Sequence, residues 1–350
     1  MLRLSVLDQS PISAGATGAD ALRNTLDLAR ATDALGYHRY WVAEHHGGPM
    51  LASPSPEVLI GPIAAATQRI RVGSGGVMLS HYSPLKVAES FSMLAGLAPG
   101  RIDLGIGRAP GTDQRTMLAL QRDRRTPAPD DFPQQLAELL GYLDGELPAG
   151  HPFASLARVL PGRPERPEPW LLGSSPQSGL WAAEVGLPYA FADFINAQGA
   201  PIAQDYRQRF QASARLENPQ VAVAVWAICA DTDEEARRLS ASARMAMTLL
   251  RRGRLLPVPS VETALAFLER EGIGLDASPP GSGGRRTIVG SPETVRAGIE
   301  QVAREYGADE AIVVTITHDH TARRRSYELI AEAFGSRSTA VAAAARSDGR

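Results

Sequence analysis

The stretch RIDLGIG at positions 101–107 has the alternating pattern of a β-strand. Apolar residues occupy every second position, and charged residues or glycine fill the positions between them. The apolar residues are Ile102, Leu104 and Ile106. A period of two residues is that of an extended chain with one face turned toward a core. The stretch therefore predicts a strand whose neighbours must lie elsewhere in the chain.

Seven further segments have the apolar content and length of strands. They lie at 2–6, 38–43, 70–78, 170–173, 188–193, 220–229 and 311–317. Helical patterns separate them. The first of these spans 19–35, with Leu22, Leu26 and Ala29 on one face and Gly36 as the stop signal.

Several predicted helices begin with the same dipeptide, a serine followed by a proline. The examples are Ser55-Pro56, Ser83-Pro84, Ser175-Pro176 and Ser291-Pro292. A serine before a helix can accept a hydrogen bond from a free backbone N–H, and proline at the first helical position gives up no donor that the helix needs. These signals support a chain of alternating strands and helices.

Strands that alternate with helices predict a parallel sheet of the α/β class. Eight repeats of the unit favour closure into a (β/α)8 TIM barrel, and an open doubly wound sheet is the alternative. We expect a single barrel domain over residues 1–335.

Two insertions interrupt the repeat. One lies at 147–169, before strand five, and the other at 251–290, before strand eight. The second contains one predicted helix, at about 260–271, and then a range at 274–288 that is long enough to be a mobile loop. The final residues, 336–350, are predicted to form a flexible tail.

The composition argues against several classes of function. The 350 residues are 44% hydrophobic and 21% charged, with a net charge of −2, which gives no reason to expect nucleic acid or an anionic membrane as a partner. Cys229 is the only cysteine, so no disulfide can form within the chain. We find no signal-peptide pattern and no apolar run of about 18 residues, so we expect a cytoplasmic protein.

Polar residues collect where the predicted strands end. Glu44, His45 and His46 directly follow the second strand, and five of the seven histidines lie at or beyond strand ends. These five are His45, His46, His81, His318 and His320. Because the active site of a barrel lies at the carboxyl ends of its strands, we expect these side chains to face a shared pocket.

Glu44, His45 and His46 have two other interpretations. They could form a hydrogen-bonded network that closes the strand end, or they could bind a metal. Adjacent histidines on an extended backbone point to opposite sides, and the helical zinc motif, with its histidines one turn apart, is missing. We therefore expect no metal, and a metal-dependent hydrolase is disfavoured.

Glycines mark the third and fourth strands. The run GSGG at 73–76 indicates that the backbone is closely approached, either by a ring-shaped ligand or by a neighbouring helix. Gly105, Gly107 and Gly111 superficially resemble a dinucleotide-binding fingerprint. Their spacing is wrong for it, however, and Pro110 interrupts the turn.

The end of the fifth strand is a candidate anion site. Ser174 and Ser175 precede a predicted helix, and Ser178 lies one turn into it. The free N–H groups and the dipole of a helix N-terminus attract anions. Arg108, at the neighbouring strand end, would add a charged fork suited to phosphate. The alternative is an ordinary serine-capped helix beside a surface arginine.

These motifs together resemble those of the bacterial luciferase-like flavin monooxygenases. The likeness spans about residues 1–335 in the expected order, and it is close to the single-chain luciferase-like oxidoreductases of bacterial genomes and antibiotic pathways, including the one of mensacarcin biosynthesis. The matching stretches are WVAEHH, IRVGSGGVMLSHYSPLKVAE, GRIDLGIGRAPGTD, WLLGSSPQS and GSPETV.

The resemblance implies a luciferase-like barrel that binds reduced FMN, supplied by a separate NAD(P)H:flavin reductase. It implies that the enzyme uses O2 to hydroxylate or epoxidise a small organic substrate. His45 matches the catalytic histidine, with Glu44 and His46 beside it. With an unperturbed imidazole pKa, His45 would act as a general acid and base near neutral pH. Gly75 and Gly76 match a flavin contact at which the family has a cis peptide bond without proline.

The resemblance also implies phosphate contacts at Arg108, Ser174, Ser175 and Ser178, and a homodimer. Luciferase has an acidic residue where Ser174 stands, so the phosphate contacts differ at that position. Two alternatives remain open. Related barrels use a deazaflavin for hydride transfer, and a non-catalytic flavin-binding protein would keep the phosphate site without requiring His45.

Overall fold

The computed structural model describes residues 2–108, 112–121, 124–125, 130–275 and 286–335. Nine strands form one parallel sheet within these residues. They are β1 (Arg3–Asp8), β2 (Arg39–Val42), β3 (Arg71–Met78), β4 (Ile102–Gly107), β5 (Glu168–Gly173), β6 (Tyr189–Ala192), β7 (Val221–Cys229), β8 (Thr287–Gly290) and β9 (Glu310–Val314).

The sheet closes into a barrel of eight strands. Strands β1 to β7 pair in chain order, and β9 completes the ring by pairing with both β7 and β1. This closure confirms the predicted (β/α)8 TIM barrel and rules out the open doubly wound sheet. The eight strands read from the sequence are all present, with their ends shifted by a few residues.

Strand β8 corrects our interpretation of the second insertion. The helix predicted there is present as Val261–Arg270, but Thr287–Gly290 forms a strand where we expected a loop. It pairs with Trp226–Cys229 of β7, while β9 pairs with β7 only as far as Trp226. The end of β7 therefore offers backbone groups that β8 can bind. The rest of the predicted mobile loop, 276–285, and the predicted tail lie outside the described residues.

Helices cover the outside of the barrel, and none within the described ranges has the length and apolar character needed to cross a membrane. They are α1 (Gly18–Ala34), α2 (Pro56–Ala66), α3 (Pro84–Leu97), α4 (Gln114–Leu120), α5 (Phe132–Asp144), α6 (Pro176–Glu184), α7 (Ala200–Arg209), α8 (Asp233–Arg251), α9 (Val261–Arg270), α10 (Pro292–Tyr306) and α11 (His320–Ala333).

The four serine–proline signals each mark the start of a helix. Every one of the four helices begins at the proline, as predicted. The side chains of Ser175 and Ser291 accept a capping hydrogen bond, but those of Ser55 and Ser83 do not. At these last two positions the proline alone accounts for the helix start, because its backbone angle already suits the first turn.

A buried ionic cluster closes the amino-terminal end of the barrel. Arg39 donates to Glu310 Oε1 and to Asp103 Oδ2, each at 2.9 Å. Above it, the rings of Trp41 and Trp170 meet edge to face with centroids 5.5 Å apart, and Trp41 Nε1 also donates to Asp103 Oδ2, at 2.9 Å. The ionic cluster thus fixes an aromatic floor halfway up the barrel, and the space above this floor is open.

Candidate active site

A cavity of about 480 Å³ lies above the aromatic floor, at the carboxyl ends of the strands. Its volume is within the range of about 300–1,000 Å³ that is typical of small-molecule sites. Its lower wall is apolar and includes Leu7, Trp41, Leu172 and Ile312. The structure brings all six predicted cofactor contacts to this one cavity: Gly75, Gly76, Arg108, Ser174, Ser175 and Ser178.

Gly75 and Gly76 form part of the cavity wall, and the peptide bond between them is cis, as the resemblance implies. A Cβ atom on Gly76 would come within 2.8 Å of the carbonyl oxygen of Gly105, and one on Gly75 would overlap the side chain of Leu7. The nearest atoms belong to the barrel and not to a helix. Of the two interpretations of the glycine run, the neighbouring helix is therefore wrong, and the ring-shaped ligand stays a prediction.

His45 follows β2 and lines the cavity. Its Nδ1 is buried and has no hydrogen-bond partner among the described residues. Burial, together with the neighbouring His46, lowers the pKa of His45 to about 4. The ring is therefore neutral at pH 7, because removal from water penalises the charged form. Our expectation of an unperturbed pKa near neutrality was wrong, since the sequence does not reveal how deeply the ring is enclosed.

Glu44 is fully buried and does not line the cavity. Its Oε1 lies 2.7 Å from His46 Nε2 and accepts a hydrogen bond from the Tyr82 hydroxyl at 3.1 Å. Its Oε2 accepts from the backbone N–H of Met78 at 2.9 Å, two residues after Gly76. Glu44 thus ties the end of β2 to the end of β3. The hydrogen-bonded network that we considered for this strand end is present, and His45 lies beside it facing the cavity.

Replacing Glu44 by glutamine tests this link. The amide keeps the shape of the side chain but has only one acceptor oxygen. If that oxygen accepts from Met78 N–H, the NH2 group faces the ring of His46 and the Tyr82 hydroxyl, and a hydrogen bond is lost unless both of these act as acceptors. An unsatisfied buried polar group costs about 1–3 kcal/mol. We expect Glu44→Gln to lower the free energy of unfolding by about that amount in denaturant titrations. The exposed Glu262→Gln, in α9, is the control and should leave it unchanged. Equal stability of the two variants would show that Glu44 is not a structural link.

The remaining histidines at strand ends do not reach the described cavity walls. His81 packs edge to face against His46, with ring centroids 5.7 Å apart. His318 Nε2 lies 3.1 Å from the carbonyl oxygen of Ala14, and His320 pairs with the Asp27 carboxylate at 2.8 Å. The shared pocket of five histidines that we expected is therefore wrong for these three. A strand end places a residue on the rim but does not set the direction of its side chain.

The candidate phosphate contacts lie at one edge of the cavity. Arg108 donates to Asp130 Oδ2 at 2.6 Å, and its guanidinium lies 5.4 Å from the ring centroid of Trp181. The hydroxyl of Ser178 donates to the carbonyl oxygen of Ser175 at 2.7 Å and lies 2.8 Å from the hydroxyl of Tyr189. Ser178 thus already serves the start of α6, as in the capped-helix interpretation. Arg108 is held in place at the edge.

A second cavity of about 660 Å³ adjoins the first. The two share Gln9, His45, Phe194 and Ile195, and His46 lines only the second. Among the described residues, no group of three or more histidine, cysteine, aspartate or glutamate side chains is arranged to hold a metal ion.

Sequence reasoning assigned no role to Trp181, Phe194 or Ile195, although each lines the first cavity. Trp181 lies three residues after Ser178 in α6, on the same helical face. Phe194 and Ile195 follow Asp193 at the end of β6, a strand end to which we assigned no site. Position after a strand end was the only signal that could have found them.

The luciferase-like monooxygenase family model matches residues 2–310. The chain belongs to this family. A luciferase-like monooxygenase of Escherichia coli (strain K12) is 42% identical over 331 residues, which is 94% of this chain and 96% of that one. The N-acetyl-S-alkylcysteine monooxygenase of Bacillus subtilis (strain 168) is 39% identical over 336 residues, 95% of this chain and 98% of that one.

The crystal structure of apo-MsnO8 resembles this chain with a TM-score of 0.87 and 41% identity, covering 96% of this chain and 98% of that one. Membership of the luciferase-like monooxygenase family makes the protein a flavin-dependent oxidoreductase.

Fold likeness alone extends to two more distant structures. One is the oxygenating constituent of a 3,6-diketocamphane monooxygenase of Pseudomonas putida in complex with FMN, at 20% identity and TM-score 0.69, covering 95% of this chain and 97% of that one. The other is an F420-dependent secondary alcohol dehydrogenase, at 13% identity and TM-score 0.64, covering 95% and 98%. The barrel by itself therefore does not choose between a flavin and a deazaflavin.

Proposed function

We propose that this protein is a monooxygenase that binds reduced FMN in the cavity of about 480 Å³ and uses O2 to hydroxylate or epoxidise a small organic substrate. One oxygen atom enters the substrate. The other leaves as water with the two hydrogens of FMNH2, and FMN is released in its oxidised form. The observation that carries the proposal is the single cavity that joins an apolar floor, a glycine-lined wall, a neutral histidine and a cationic edge.

The residues of the cavity fit FMN. The wall at Gly75 and Gly76 leaves no room for side chains and, with Trp41 and Leu7 beneath, can accept a flat apolar ring. At the edge, Arg108 and the N-terminus of α6 would hold the phosphate. Bound reduced FMN supplies the two electrons that activate O2.

His45 has a specific task in this arrangement. Its neutral ring has a buried Nδ1 without a partner in the described part of the chain, which is costly unless a bound molecule satisfies it. We infer that Nδ1 forms a hydrogen bond with the bound cofactor or substrate, or transfers a proton to or from it. Glu44 acts only indirectly, by fixing His46 and the end of β3, and the apolar floor excludes water from the reacting groups.

The experiment that tests the proposal uses the full-length protein and chemically reduced FMN. The protein is mixed with FMNH2 under anaerobic conditions and then with oxygenated buffer, with and without a panel of organic substrates. N-acetyl-S-alkylcysteines belong in the panel because a relative that is 39% identical carries their name. We expect flavin reoxidation at a rate different from that of free FMNH2, and an oxygenated product. Reoxidation at the rate of free FMNH2 and no product would overturn the proposal.

The same experiment separates the rival functions. A deazaflavin-dependent hydride transferase would bind reduced F420 and turn over its substrate without consuming O2. A non-catalytic flavin-binding protein would bind FMN but release no product, and a His45→Ala change would leave all its measured properties intact. We further propose that the reductant reaches the protein through a separate NAD(P)H:flavin reductase. Chemically reduced FMN should then replace the reductase fully in the assay.

Arg108 and Asp130 give a sharper test of the phosphate site. An arginine–phosphate hydrogen bond is worth about 1.5–3 kcal/mol, so Arg108→Ala should weaken FMN binding about 10- to 100-fold. Asp130→Ala frees the arginine from a surface pair worth up to about 1 kcal/mol and should strengthen binding up to about fivefold. Fluorescence titration of FMN measures both changes. If Asp130→Ala weakened binding instead, Arg108 would need its carboxylate partner and would not hold phosphate.

We propose that the protein forms a homodimer through α2 and α3. These helices are adjacent, and they expose Val58 (65%), Met93 (54%) and Leu97 (79%) to solvent. Large exposed apolar side chains on adjacent helices favour a protein–protein contact there. Sedimentation velocity should therefore give a dimer mass, and the double variant Met93→Glu/Leu97→Glu should sediment as a monomer. Glutamates at Val159 and Leu255, exposed apolar residues outside these helices, serve as controls and should leave the dimer intact. A monomeric wild-type protein would contradict the proposal.

A further inference from the structure

Four side chains form a window between the two cavities at the mouth of the barrel. Gln9, His45, Phe194 and Ile195 line both of them. The first is the cavity that we assign to the flavin. The second, which we call the second chamber, is larger, at about 660 Å³. A molecule in the second chamber therefore reaches the first across this window.

Much of the remaining lining of the second chamber is apolar, and we call this part the far wall. It includes Met50, Trp226, Met247, Leu250 and Leu255. Met50 and Trp226 belong to a buried hydrophobic cluster that joins β7 to α8, so the tryptophan side of the wall is held firmly. Methionine side chains are flexible and polarizable, and they adapt to ligands of different shape. The far wall is thus suited to hydrocarbon parts of a ligand.

The charges in the second chamber also favour an uncharged ligand. The described lining residues include no lysine or arginine, and their only carboxylate is Asp113. Backbone and side-chain hydrogen bonds from Thr116 hold the pKa of Asp113 below its usual range, so the carboxylate is ionised. His45 at the window is neutral. An ionised carboxylate in the lining repels an anionic group, and the apolar far wall would not compensate for burying one.

We propose that the second chamber binds an uncharged, hydrocarbon-like arm of the substrate, with the reacting group at the window and the arm directed at Trp226 and Met247. These two residues set the length of arm that is accepted. The assignment of the reacting group rests on the proposed monooxygenase function. The binding of the arm does not, because it requires only the second chamber.

The binding test uses the full-length protein without FMN and two probes. N-phenyl-1-naphthylamine, an uncharged dye whose fluorescence rises in apolar surroundings, reports occupancy. A series of 1-alkanols of increasing length then displaces it. We expect each added methylene to tighten alkanol binding about fourfold until the chain reaches the far wall, after which the gain ends.

Variants locate the binding in the second chamber. A Cβ atom on Gly48, which lines the chamber, would meet only Leu255 Cδ1, at 3.4 Å, so Gly48→Phe should project its ring into the space and weaken dye binding more than tenfold. Gly18→Phe is the matched control. Its Cβ atom would make ordinary contacts with Ile12 and Ala52, at 3.8 and 3.9 Å, outside both cavities, and dye binding should be unchanged.

Enlarging the far wall should shift the length limit. In Trp226→Ala and, as a milder change, Met247→Ala, the affinity for alkanols should continue to rise with chain length beyond the limit found for the wild-type protein. FMN binding, measured in every variant, shows that the protein is folded and the first cavity intact. The proposal is overturned if Gly48→Phe binds the dye as wild type does, if the two glycine variants lose binding equally, or if FMN, when added to the protein, displaces the alkanols.

The outcome also separates this proposal from the proposed function. A normal alkanol series with no oxygenated product would leave the second chamber as a binding site and remove the monooxygenase proposal. Product formation that does not depend on the length of the arm would remove the second chamber as a binding site and leave the monooxygenase proposal.

Discussion

Alanine at position 45 is expected to lower the rate of substrate oxygenation by about 10²–10⁴-fold while leaving FMN affinity within a few-fold of wild type. His45 lines both cavities, and its Nδ1 has no partner among the described residues. A group that exchanges a proton with reacting atoms contributes a rate factor of this size. The phosphate edge, which carries most of the cofactor's charge, is formed by other residues and should be unaffected.

The measurement is single-turnover product formation with chemically reduced FMN, alongside a fluorescence titration of FMN. His318→Ala is the matched control, because this histidine also follows a barrel strand but lines neither cavity. It should react at the wild-type rate. A rate loss of less than threefold in His45→Ala would remove His45 from the reaction. A loss of FMN binding of similar size to the rate loss would make it a binding residue instead.

The pH dependence provides a second readout for His45. Its pKa is lowered to about 4, so the ring is charged only below that pH and is neutral throughout the physiological range. Turnover should therefore show no inflection from His45 near pH 6.5, the usual imidazole value, and should fall as the pH drops toward 4. An inflection near pH 6.5 that disappears in His45→Gln would show that the ring is in contact with water in the working enzyme.

Much of the fold could be predicted because the local pattern and the global architecture agree. The alternation in 101–107 reappears as β4, and the serine–proline pairs start four helices at the proline. Strand β8 escaped prediction because it lies in the second insertion, whose sequence is typical of a loop. Its existence depends on β7 extending beyond β9, which is a tertiary relation that no local pattern contains.

The candidate site, like the fold, could be predicted from the sequence only in part. Residues directly at strand ends, such as His45 and Ser175, were predictable because a parallel barrel brings those ends together. The direction and the environment of a side chain were not predictable. His320 turns toward Asp27, and the pKa of His45 depends on enclosure by neighbouring elements. The pairing of Arg108 with Asp130 also joins positions 22 residues apart that share no motif.

Loss of the buried pair between Asp8 and Arg323 is the stability change that we expect to be largest. Arg323 Nη2 donates to Asp8 Oδ1 at 2.6 Å, and both side chains are almost completely buried. Removing one partner leaves the other charge buried without a partner, which costs about 3–5 kcal/mol. We therefore expect Arg323→Met to lower the free energy of unfolding by about that amount in denaturant titrations. Arg209→Met, which breaks an exposed pair with Asp205, should leave it unchanged.

The double variant Asp8→Asn/Arg323→Met separates the pair from the individual side chains. With both charges of the pair gone, neither is left buried without its partner, so the double variant should lose less stability than the sum of the two single changes. Additive losses would mean that the two groups act independently. Asp8 also accepts from the backbone N–H of Ser10 at 2.7 Å, so the pair fixes the segment that carries Gln9 to the window. FMN and dye binding should weaken along with stability.

Acid titration gives the sign of the electrostatic contribution. Burial alone would raise the pKa of Asp8, but the charge of Arg323 and hydrogen bonds from Tyr40, Arg323 and Thr25 hold it below the usual value. A depressed pKa in the folded state stabilises the protein above the unfolded-state pKa of about 3.9, and this contribution is lost as the pH falls through the folded-state pKa. The free energy of unfolding should thus fall below about pH 4, and less steeply in Asp8→Asn. Equal slopes would show that Asp8 is not the group that acid disrupts.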